Sequence, residues 1–91
     1  MNAYQRELQR LRPDDEIQSM EADPRDLGYS FIMTADHGYL VVPRTDKNYP
    51  LARKIVSYGF VGALAVYLEE DAEAPQFIDA VKRELLGVHA S

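Results

Sequence analysis

The sequence predicts an α+β domain: a small sheet of three or four strands, with helices packed on it in the order α-β-β-α-β-α. Three observations carry this expectation. Tyr29–Thr34 and Tyr39–Val42 are short aromatic and β-branched runs joined by Ala-Asp-His-Gly, a turn sequence. Apolar residues recur at helical spacing near the start, after Pro50 and after Pro75. Phe60–Leu68 runs for nine residues without a charge.

In chain order, Asn2–Arg12 reads as a helix, with Tyr4, Leu8 and Leu11 as a narrow apolar stripe that Pro13 stops. Residues 13–28 form an acidic connector whose large apolar residues are Ile17, Met20 and Leu27; loop, helical turn and edge strand all fit it. The hairpin over residues 29–42 follows, with Asp36 and Gly38 suited to its turn and Pro43 closing its second strand. Pro50–Tyr58 reads as a helix that Gly59 caps. Phe60–Leu68 reads as one buried strand, and Pro75–Leu86 as the last helix, with Phe77, Ile78, Val81 and Leu85 on one face. Residues 87–91 are a tail. The pairs Asp46…Pro50 and Asp71…Pro75 repeat an acid four residues before a Pro, which fits two similar strand-to-helix turns.

The hairpin makes its two strands neighbours. In a three-stranded sheet the run Phe60–Leu68 then lies at an edge, although it is the most apolar strand. An exposed apolar edge invites pairing. Either the connector around Ile17–Met20 covers that edge, a bulge at Gly62 protects it, or another chain pairs with it; the last predicts a homodimer or a protein partner, with Phe60, Val61, Leu64, Val66 and Leu68 as its contact residues.

Composition narrows the function. The 91 residues suit one domain, and 46% hydrophobic with 27% charged residues is a globular balance. A net charge of −5 argues against a general cationic nucleic-acid binder. With no Cys, disulfides, thiolate catalysis and cysteine-ligated metals are excluded. No apolar run is long enough to span a membrane, and the start lacks the apolar core of a secretory signal, so the expectation is a cytoplasmic protein without a membrane partner. No cofactor motif is present.

Charge is segregated. Asp14, Asp15, Glu16, Glu21, Asp23 and Asp26 face a single Arg25 in the connector, and Glu69, Glu70, Asp71 and Glu73 form a second acidic block. Arg44, Lys47, Arg53 and Lys54 form a basic one, with Tyr49 beside it; a solvated helix face or a complement to an acidic partner fits it better than phosphate contact. His37 at the hairpin tip is the candidate acid–base residue. With Glu69, Glu70 and Asp71 it would form a mixed metal site, provided the hairpin tip and the strand end share one side of the sheet. Acids before a helix start also have a plain structural use. His89 lies in the tail.

Thr34-Ala-Asp-His-Gly-Tyr-Leu40 followed by Tyr67-Leu-Glu-Glu-Asp71 resembles a pattern in small uncharacterised bacterial domains of plasmids and phage-like elements. There a Thr-x-Ser-His-Gly-Gly turn precedes an aromatic-x-Glu-Glu-Asp box. Position 36 is Asp where the pattern has Ser, and position 39 is Tyr where it has Gly. The resemblance implies an accessory role on a mobile element and a joint role for His37 and the acidic box; it implies no activity. The expected function is a small acidic protein–protein interaction module, homodimeric and not an enzyme. The alternatives are a metal-dependent or acid–base enzyme built on His37 and the 69–71 carboxylates, and an acidic mimic of nucleic acid.

Overall fold

The computed structural model describes residues 1–87; His89 lies outside the described residues. The elements are α1 (Ala3–Leu11), β1 (Ile17–Ala22), a 3-10 turn (Pro24–Asp26), β2 (Ser30–Thr34), β3 (Gly38–Pro43), α2 (Tyr49–Ile55), β4 (Phe60–Val61), β5 (Ala65–Glu69) and α3 (Glu73–Leu85). The strands make one antiparallel sheet in the order β1-β2-β3-β5-β4. The α+β class and the 29–42 hairpin therefore hold, and five strands replace the expected three or four.

Both faces of the central strands β3 and β5 are covered, by different helices. One face carries Leu40, Val42, Val66 and Leu68, packed under Ala52 of α2 and Ala74, Phe77, Ile78 and Val81 of α3. The other carries Ile32, Tyr39, Val41, Ala65 and Tyr67, packed against Leu8 of α1. Strand alternation sends successive residues of β3 and β5 to opposite sides. Two-sided burial thus explains why these strands read as continuous apolar runs.

Helix α1 begins with a reciprocal cap: the Asn2 side chain accepts from the Gln5 N–H, and the Gln5 side chain accepts from the Asn2 N–H. The stripe of Tyr4 and Leu8 turns to the sheet, while Leu11 is left exposed. Helix α2 is shorter than the expected Pro50–Tyr58. It ends at Ile55, Val56 is extended, and Tyr58 stands 75% exposed.

One open reading is settled and one expectation is corrected. Of the three readings of the connector, the edge strand is the one found: the connector holds β1, with an extra residue between Ile17 and Ser19. Ile17 pairs with Thr34 and Met20 with Ile32, so Ile17 and Met20, three apart, both face α1. The run Phe60–Leu68 is two strands. A turn after Val61, closed by the Gly62 N–H to the Ala65 carbonyl, folds β5 back between β3 and β4. Val66 and Leu68 are fully buried, and the edge is the two-residue β4. The apolar edge from which a homodimer follows in a three-stranded sheet does not exist here. A very short edge strand protects itself.

Candidate functional site

Three buried carboxylates tie the sheet connections together. Glu7 of α1 accepts hydrogen bonds from the Ala63 N–H at 2.8 Å, the Leu64 N–H at 3.0 Å and the Tyr67 hydroxyl at 2.8 Å. Glu73, in the first turn of α3, accepts from the N–H groups of Tyr58, Gly59 and Glu69. Asp15 accepts from the Thr34 hydroxyl at 2.7 Å and the Asp36 N–H at 3.1 Å, and its carboxylate lies 3.2 Å from His37 Nδ1. Each holds a turn whose N–H groups no strand partner satisfies. A buried carboxylate is tolerated because these donors replace its water.

The three differ in surroundings. Burial pushes the Asp15 carboxyl up, but the hydrogen bonds from Thr34, His37 and the Asp36 backbone, with the Arg12 guanidinium, outweigh it and hold it below the ordinary carboxylate range. The Arg12 guanidinium stands 3.8 Å from Asp15, and its other terminal nitrogen lies 3.3 Å from the Tyr39 hydroxyl. The His37 ring is about one-third exposed and lies 6.1 Å from the Tyr39 ring.

The acid paired with His37 is thus Asp15, from the connector, and not the expected 69–71 carboxylates. Glu69 lies opposite Tyr39 in the ladder. Glu70 turns to the other side of the sheet, where its carboxylate occupies the space a side chain on Gly38 would fill. Asp71 is exposed in the turn before α3. Among the described residues no group of three or more His, Asp or Glu side chains is placed to hold a metal ion. Of the expected contact residues, Val61 and Leu64 are exposed, Phe60 is half-buried, and Val66 and Leu68 are in the core.

A broad concave surface lies elsewhere. Helix α3 covers β3 and β5 but leaves the same face of β1 and β2 open, which makes a groove of about 730 Å³. Its floor is apolar: Phe31 and Met33 of β2, with Ala74 and Ile78 of α3. Met33 is 38% exposed, with no helix above it. Its rim is acidic. Glu21, Asp23 and Asp26 line the β1 side, and Glu70 and Asp79 the α3 side. Arg25 and Lys82 are the cations there, and Arg25 is held by Asp23 at 3.3 Å. Glu21, Asp26 and Glu70 have no ion-pair partner among the described residues. Glu21, Asp23 and Asp26 of the first acidic block thus face Glu70 of the second across this groove, while Asp15 and Glu73 are buried in the protein.

One signal for the groove is present in the sequence. Phe31, Ile32 and Met33 are consecutive apolar residues in a strand, so both faces of β2 are apolar although only one carries a helix stripe of its own. Nothing in the spacing shows which face stays open. No family model, no curated protein and no solved structure matches the chain.

Proposed function

We propose that the protein is a protein–protein interaction module that receives its partner in the groove between α3 and the β1–β2 face. The observation that carries this reading is the apolar floor of half-buried Phe31 and exposed Met33, flanked by Glu21, Asp26 and Glu70, which have no ion-pair partner among the described residues. Concave apolar surface with a polar rim is the usual form of a recognition site. The accessory role on a mobile element, implied by the resemblance over residues 34–40 and 67–71, belongs to the same proposal and adds no contact to it. A nucleic-acid mimic fits less well, because the acidic residues flank an apolar floor rather than forming a ladder.

Site-specific photo-crosslinking tests the reading. A benzophenone side chain at position 33 is expected to give one discrete adduct in the cells that make the protein. The same group at position 10, exposed on α1 and outside the groove, is the control. The same set of adducts from both positions, or none from position 33, would overturn the groove as the binding face.

A second reading is supported by the Asp15–His37 contact. A buried carboxylate on Nδ1 fixes the ring and leaves Nε2 directed away from its acid partner, as in acid–base sites. No Ser hydroxyl among the described residues hydrogen-bonds His37, so the reading lacks a nucleophile. Imidazole titration by NMR in a panel of small esters and phosphates tests it. Selective perturbation of His37 signals by one class would support it, and a spectrum indifferent to all would remove it.

A further inference from the structure

We infer that the occupant of the groove is a second copy of this chain, which presents the surface around Arg53, Lys54 and Tyr58. The inference rests on the groove reading above and names its partner. Both halves of the contact are visible in one molecule. Glu21, Asp26 and Glu70 surround the groove without ion pairs among the described residues. Outside the groove, Arg53 and Lys54 end α2, exposed and likewise without ion pairs among the described residues.

Tyr58 supplies the apolar part. It follows α2 on the way to β4 and is 75% exposed. An aromatic ring so exposed, four residues beyond a Lys and five beyond an Arg, is a natural anchor for an apolar pocket with an acidic rim. The floor of Phe31, Met33 and Ile78 offers a ring its apolar contacts, while Arg53 and Lys54 meet the rim carboxylates. Complementary charge sets orientation and on-rate more than strength, and like net charge opposes the approach. The expected complex is therefore weak and salt-sensitive.

Charge reversal on each surface provides the test. One variant carries Glu21→Lys and Glu70→Lys; the other carries Arg53→Glu and Lys54→Glu. All four positions are exposed or line the open groove, and thermal unfolding of each variant confirms the fold. Self-association is read by sedimentation at low salt and about 100 µM protein, the range in which a weak contact populates. The wild type is expected to associate, and each variant alone to lose at least about tenfold in affinity. An equimolar mixture is expected to restore association, since every groove then meets a side chain of opposite sign. Tyr58→Ser, which leaves all charges in place, is expected to weaken the wild-type contact as well. Association that survives in both variants, or a mixture that fails to restore it, overturns this contact while leaving self-association itself intact. A wild type that stays monomeric overturns the inference outright. An adduct with a different protein at position 33 would then preserve the groove reading, and no adduct would remove that too.

Discussion

The Tyr67 hydroxyl donates a 2.8 Å hydrogen bond to the Glu7 carboxylate, joining the middle of β5 to helix α1. The same carboxylate holds the Ala63 and Leu64 N–H groups, so one side chain fixes both the turn before β5 and the strand itself. Burial raises the Tyr67 phenol well above its ordinary range, and the hydrogen bond and charge of Glu7 raise it further. This junction decides how residues 60–69 are laid into the sheet.

Replacing Glu7 by Ala leaves those two N–H groups without an acceptor and the phenol with the Tyr4 carbonyl alone, at 3.2 Å. The expected loss is about 2–4 kcal/mol, from several unsatisfied polar groups and the lost packing. Tyr67→Phe removes one donor and keeps the ring, with an expected loss of about 1–2 kcal/mol. Urea unfolding of the single and double variants measures both, and their coupling appears as a double-mutant loss smaller than the sum. Additive losses would show that the two groups act independently.

Asp15 gives the protein an acid limb. Its carboxyl is held below the ordinary range when folded, so its ionised form stabilises the fold. That contribution is complete above the unfolded value, near pH 4, and is lost as pH falls through the lower folded value. In Asp15→Asn, stability between about pH 4 and pH 2 should fall less steeply than in the wild type. Chemical unfolding at a series of pH values reads the slope.

Three tyrosines give an alkaline limb of the opposite kind. Burial raises Tyr29, Tyr39 and Tyr67; Asp46 adds to the first, Asp15 and Glu69 to the second, and Glu7 to the third. A group raised on folding stabilises the fold fully below its unfolded value, near pH 10, and loses that contribution as pH rises through the folded value. The phenolate absorbance of these three rings should therefore develop late. Replacing Tyr67 by Phe should remove the last-titrating ring.

Two glycines separate close approach from backbone conformation. A Cβ at Gly59 would collide with the Tyr67 carbonyl oxygen and with Glu73, both fixed parts of the sheet and its staple. Gly59→Ala is expected to cost about 3 kcal/mol or more. Gly28 has φ +81° in open space, so Gly28→Ala meets only the left-handed penalty, about 1 kcal/mol. Thermal melts of the pair rank the two effects, and equal losses would contradict the packing at Gly59.

The sequence by itself determined the α+β class, the 29–42 hairpin and three helices near their observed places, because those follow from local periodicity and from Pro, Gly and Asn at element ends. It did not determine β1. The extra residue at Gln18 puts Ile17 and Met20 on one face at a spacing of three, which erases the two-residue alternation of a strand. Nor did it reveal the turn after Val61. Gly62 is the one turn former in Gly-Ala-Leu, and the acceptor for the Ala63 and Leu64 N–H groups is Glu7, more than fifty residues away. His37 was legible as a titratable hairpin residue, but its partner Asp15 comes from the connector. The groove was decided by tertiary structure alone. Its floor and rim come from β1, β2, the 3-10 turn, the end of β5 and α3, and only packing determines which half of a two-sided apolar sheet a single helix leaves bare.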